Sequence, residues 1–162
     1  MPGFEVINFK EENSLKKIFS EGKGVLFRHG FENLRGKSYQ VKNFEKNFAK
    51  KFNAKYSLAV TSGTAALRIA LASCGVGSKD EIITQSFTFV ATVEAIVESG
   101  SKPICTEIDD TLNMCPFDLE KKITKKTKAV IVVHMLGVPA NLDKIKKICK
   151  KYYYWRRGYV GF

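Results

Sequence analysis

The rhythm of apolar residues changes at Tyr56. Before it, apolar positions recur at helical intervals. KEENSLKKIFS, residues 10–20, sets Leu15, Ile18 and Phe19 on one side of a short helix. Residues 21–38 hold four glycines and read as loop. VKNFEKNFAKKF then places Val41, Phe44, Phe48 and Phe52 on one face of an amphipathic helix. That aromatic stripe is expected to enter the core rather than to face a cofactor.

After Tyr56, short apolar runs alternate with helical stretches. YSLAV predicts a strand, and TAALRIALASCG a helix ending at Gly75. DEIITQ predicts a strand, and FVATVEAIVESG a helix ending at Gly100. KPICTEI predicts the next strand. Pro116 then opens a helix through DLEKKI, because the amide that proline lacks goes unpaired in a first turn anyway. KAVIVVH closes the strand set, and ANLDKIKKICKK follows as a helix with Asn141 as its cap. This alternation predicts an α/β fold, a mostly parallel sheet with flanking helices. The run AVIVV suits a central strand buried on both faces.

Composition narrows the class. A chain of 162 residues, 44% hydrophobic and 27% charged, is long enough for one domain with its own core. No apolar run reaches the roughly 18 residues of a membrane span. The opening MPGFEVINFKEENSLKK has no apolar h-region. The expectation is a cytoplasmic chain with no membrane partner. The four cysteines, Cys74, Cys105, Cys115 and Cys149, form no C-x-x-C pair and have no histidine at zinc spacing. Free, mostly buried thiols and no metal are expected. The net charge of +11 raises nucleic acid as a partner. The lysines, however, are scattered over predicted helix surfaces, as in DLEKKITKKTK and LDKIKKICKK, with no Arg-rich stripe. A solvated basic surface and no nucleic-acid partner are expected.

In α/β sheets, ligands gather at the carboxyl ends of strands. TSGTAAL, residues 61–67, lies at such an end and opens a helix. A helix N-terminus offers unpaired N–H groups and a partial positive charge. Gly63 lets a ligand approach the backbone, and Ser62 and Thr64 add hydroxyls. The stretch reads as a phosphate cradle or as a capped turn without a ligand, and both readings stand. A Walker loop, a G-x-G-x-x-G fingerprint and a nucleophile elbow are excluded. The second glycine and the lysine are missing, and Val60 and Thr64 flank Ser62 where the elbow needs glycines. TQSFTFVAT, residues 84–92, repeats the geometry with Phe87 and Phe89, which suit either a flat heterocycle or the core. His134 ends the most apolar strand, as a structural hydrogen-bonding residue or a site residue. EIDD, residues 107–110, suits a solvated capping turn better than a metal site.

SGTAAL, GVGSKDEIITQSFTFVATVEAIVESGSKPICTEID and ITKKTKAVIVVHMLGVPANLDKI, in that order, resemble the DegT/DnrJ/EryC1/StrS family of PLP-dependent sugar aminotransferases. The resemblance runs from about Arg35 to Lys151. It implies the N-terminal half of the large domain of fold type I, the aspartate aminotransferase-like fold. It implies pyridoxal 5′-phosphate as cofactor, with its phosphate at Gly63, Thr64 and Ala65, its ring stacked on Phe89, and His134 near the pocket. It also implies transfer of an amino group from Glu or Gln to a keto sugar, usually nucleotide-linked, by a homodimer. The expected division is an N-terminal helix and loop segment at 1–35, the first half of the cofactor-binding domain at 36–151, and an aberrant tail at 152–162.

That last segment, YYYWRRGYVGF, does not match the family's apolar strand ending in Glu-Asp-Ala-Ala. A synonymous coding shifted by one base in the adjacent lysine codons reads as an apolar strand followed by Asp-Ala-Ala. This predicts a frame-shifted tail. Neither the Schiff-base lysine nor the carboxylate that pairs with the pyridine nitrogen is assignable in this chain, so no catalytic residue is named. The chain is expected to be inactive alone. The alternatives are a PLP-dependent sugar dehydratase of the same family and a small basic binding protein without catalysis.

Overall fold

The computed structural model describes residues 6–26, 30–36, 39–152 and 160–161. The chain divides into two compact units, Met1–Ala59 and Val60–Phe162.

The first unit carries α1 (Phe9–Ser20) and α2 (Gln40–Lys51). Both helices form where their periodicity predicts them. A reciprocal cap starts α1: Lys10 N donates to Asn8 Oδ1 at 3.0 Å, and Asn8 N donates to the Glu11 carboxylate at 2.9 Å. The expected burial fails. Leu15 and Phe19 on α1 are exposed, and so are Phe44, Phe48 and Phe52 on α2. The phenylalanines stack along their own helix, with centroids 5.7 and 4.5 Å apart, instead of entering a core. Two twelve-residue helices supply too little surface to cover an aromatic face.

The one buried residue of α2 is Glu45. Its carboxylate accepts from Ala59 N at 3.0 Å, and its carbonyl accepts from the Ser57 hydroxyl at 3.1 Å. Those bonds hang YSLAV on α2. Residues 56–60 therefore do not form the expected strand. A strand needs a neighbour to exchange backbone bonds with, and among the described residues this segment has none.

The second unit has the predicted alternation: α3 (Gly63–Ser73), β1 (Glu81–Gln85), α4 (Val90–Glu98), β2 (Lys102–Thr106), α5 (Pro116–Lys122), β3 (Thr127–Val132), α6 (Leu142–Tyr152) and β4 (Val160–Gly161). The strands lie in the order β2-β1-β3-β4, all parallel, with Ile83 opposite Ile104 on one side and Val130 on the other. Of the expected tail, residues 153–159 and 162 lie outside the described residues.

Side-chain alternation on the strands builds two cores. Ile82, Ala129 and Ile131 pack under α3 and α4 with Leu71, Ala95 and Ile96. Ile83, Val130 and Val132 pack under α5 and α6 with Met114, Leu119, Ile145 and Cys149. Helix ends are where the sequence places them. Gly75 and Gly100 follow α3 and α4 with φ of 63° and 77°, which stops a helix at no steric cost to glycine. Asn141 Oδ1 accepts from Lys144 N at 3.1 Å, as its capping role predicts.

The cysteines are all free, but only Cys149 is buried. Cys74 and Cys115 are half-buried, and Cys105 is exposed. Cys105 sits on β2, which pairs only with β1 among the described residues, so one flank of that strand stays open. Burial raises the Cys149 thiol to about 11, which keeps it protonated and unreactive.

Candidate functional site

Two helices start at the same end of the sheet. Ser62 caps α3: its hydroxyl accepts from Ala65 N at 3.1 Å, and its carbonyl accepts from Ala66 N at 3.0 Å. The amides of Gly63 and Thr64 are then left without a partner among the described residues. α4 starts after Phe89, which makes no side-chain cap. Between these starts lies a cleft of about 370 Å³, lined by Gly63, Thr64, Leu67, Phe89, Ala91, Thr92, Ile131 and Val133. Ile131 and Val133 place it at the carboxyl end of β3, on the α3–α4 side of the sheet.

The structure brings three of the five predicted site residues to this cleft. Gly63 and Thr64 supply unpaired amides at one wall. A Cβ built on Gly63 meets nothing within 4 Å, so the space in front of it is open. Phe89 is 74% exposed and lines the cleft, which removes the core-packing reading of that ring. Ala65 does not line the cleft, and its amide is committed to the Ser62 cap. His134 also lies off it. That half-buried ring accepts from Ala140 N at 2.9 Å through Nδ1.

Gln85 and Asn113 are both fully buried, and neither is among the residues singled out from the sequence. Gln85 Nε2 donates to Phe87 O at 2.9 Å and to Leu112 O at 3.2 Å, and its Oε1 accepts from Val133 N at 3.3 Å. Asn113 Oδ1 accepts from Met135 N at 2.8 Å, and its Nδ2 donates to Val138 O at 3.2 Å. The available signal for Gln85 was an amide side chain ending an apolar strand, since a buried carboxamide needs partners. No such signal marks Asn113, which sits in a polar turn.

The acidic stretch is a turn. The Asp109 carboxylate accepts from both the amide and the hydroxyl of Thr111, and these bonds hold its pKa below the usual carboxylate range. No group of three metal-binding side chains occurs among the described residues.

Residues 28–155 match the DegT/DnrJ/EryC1/StrS aminotransferase family. GDP-perosamine synthase of Escherichia coli O157:H7 is 36% identical over 118 residues, 72% of this chain and 32% of that protein. The spore coat polysaccharide biosynthesis protein SpsC of Bacillus subtilis is 41% identical over 117 residues, 72% of this chain and 30% of that protein. Among solved structures, 3-amino-5-hydroxybenzoic acid synthase superposes with a TM-score of 0.82 at 32% identity, over 93% of this chain and 37% of that one. NtdA of Bacillus subtilis, with PMP bound, gives 0.78 at 26% identity, over 95% and 35%.

The α/β architecture is therefore that of the N-terminal half of the fold type I large domain. The chain belongs to the DegT/DnrJ/EryC1/StrS aminotransferase family. It spans about a third of the length of the relatives it matches.

Proposed function

We propose that the protein to which this chain belongs is a cytoplasmic, homodimeric aminotransferase that moves an amino group from Glu or Gln to a nucleotide-linked keto sugar. The cleft under α3 and α4 holds its pyridoxal 5′-phosphate. The observation that carries the reading is the meeting of two unpaired amides, an open space at Gly63 and an exposed aromatic ring in one cleft. Among the described residues no helix is long and apolar enough to cross a membrane.

The residues present fit the group. The Gly63 and Thr64 amides and the Thr64 hydroxyl bind a phosphate, in the positive field of the α3 N-terminus. Phe89 supplies a face for a flat heterocycle. Leu67, Ala91, Ile131 and Val133 give the cleft an apolar wall beside that ring. When bound, the cofactor supplies the electron sink that amino-group transfer needs. This chain holds the phosphate and the ring. None of its lysines matches the family's anchoring position, so by itself it should bind without turnover.

Calorimetry on the 162-residue chain tests the binding half. Pyridoxal 5′-phosphate should bind at least about tenfold tighter than pyridoxal, reflecting one or two charge-assisted hydrogen bonds. Inorganic phosphate should compete. Equal affinity for pyridoxal with and without its phosphate would remove α3 from the site. Nitrogen transfer from labelled glutamate to a nucleotide keto sugar, measured with a chain of the relatives' full length, tests the activity.

A further inference from the structure

The connection from β3 to α6 holds a costly backbone turn. Leu136 has φ of 53° and Gly137 has φ of 82°. Left-handed geometry suits glycine, whereas a leucine persists there only when its surroundings impose it. Leu136 itself is 77% exposed, so packing of its own side chain does not impose it.

Two buried carboxamides do. Asn113 takes the Met135 amide before the turn and bonds the Val138 carbonyl after it, bracketing Leu136 and Gly137. Gln85 takes the Val133 amide one residue before His134. The backbone is thus tied on both sides of His134. Both carboxamides are anchored elsewhere, Gln85 at Phe87 O and Leu112 O, Asn113 at the Thr111 carbonyl and hydroxyl. The turn cannot shift without leaving a buried amide unpaired, at a cost of about 1–3 kcal/mol for each group.

The imidazole closes the brace. Ala140 N–H points its hydrogen at His134 Nδ1, so that nitrogen must offer a lone pair. The ring proton then sits on Nε2, which has no partner among the described residues. We propose that Gln85 and Asn113 are positioning residues. Their carboxamides clamp the turn so that Val133 walls the cleft and His134 is held with Nδ1 as acceptor and Nε2–H as donor. The inference holds whichever ligand the cleft takes.

Nitrogen-15 NMR of the labelled 162-residue chain reads the tautomer directly. Replacing the chain's other histidine, His29→Gln, leaves a single imidazole in the spectrum. Nδ1 should resonate as an unprotonated nitrogen and show coupling across the hydrogen bond to Ala140 N. A proton on Nδ1, or no such coupling, overturns the proposal in that background, with Gln85 and Asn113 intact. Asn113→Leu and Gln85→Leu should each lose the coupling and show both tautomers. Asn113→Asp and Gln85→Glu keep the accepting oxygen but replace the donor with a carboxylate oxygen facing the Val138 or the Phe87 and Leu112 carbonyls, so they should loosen the turn as well. Leucine variants that keep dispersed amide spectra and an unchanged imidazole overturn the positioning role. Should a leucine variant fail to fold, the acidic variants decide, and an unchanged coupling with a single tautomer in a folded acidic variant counts against the clamp.

Discussion

A chain carrying Gly63→Asp should fold like its parent and bind pyridoxal 5′-phosphate at least tenfold more weakly. The folded state has room for the change, because a Cβ at residue 63 meets nothing within 4 Å and φ there is not left-handed. A carboxylate in a helix's first turn also complements the macrodipole, by about 0.3–1 kcal/mol. Urea unfolding should therefore show equal or slightly higher stability. The same carboxylate places negative charge where the phosphate would sit and competes for the Gly63 and Thr64 amides. Losing one charge-assisted hydrogen bond costs about 1.5–3 kcal/mol, which is roughly ten- to a hundredfold in affinity. Calorimetry on both chains separates the effects. Unchanged affinity would show that the α3 N-terminus holds no anion.

Ile83→Ala should bring the largest loss of stability. Ile83 is fully buried at the centre of β1, with Ile104 and Val130 as neighbours across the sheet and Met114 and Leu119 in the same cluster. Truncation removes the transfer energy of three carbons and leaves a cavity that neighbours on both flanking strands cannot fill. The expected cost is about 2–5 kcal/mol. Domains of this size hold about 5–15 kcal/mol in total, so the urea midpoint should fall sharply. A cost below about 1 kcal/mol would mean that the strand does not pack as described.

The sheet and its helices were legible because each element after residue 60 carries its own signal. Pro116 at a first turn, Asn141 at a cap and Gly75 and Gly100 at helix ends are local chemistry, and local chemistry decides them. YSLAV failed because strand formation is a property of pairs. Its β-like residues allow an extended backbone but do not supply the second strand. The burial of α1 and α2 failed for a related reason. Periodicity shows that Phe44, Phe48 and Phe52 share a face, and it is silent on whether anything covers that face.

The site was legible in part. Gly63 and Thr64 open α3, Phe89 stands between β1 and α4, and the three line one cleft at the carboxyl end of β3, where ligand sites in such sheets form. Ala65 differs because Ser62 takes its amide first. The choice between capping and ligand binding is made atom by atom within one turn of helix, below what residue types reveal. Gln85 and Asn113 went unseen because most of the backbone groups they bond lie 22–48 residues away.

The bare aromatic row on α2 also has a colloidal consequence. Phe44, Phe48 and Phe52 form a sticky stripe, and a net charge of +11 makes copies of the chain repel one another. That repulsion reaches about 30 Å in 10 mM salt and only about 8 Å at physiological strength. Salt therefore works against solubility here: it strips the electrostatic shield while leaving the aromatic contact intact, so dilute buffer is the safer medium for this chain.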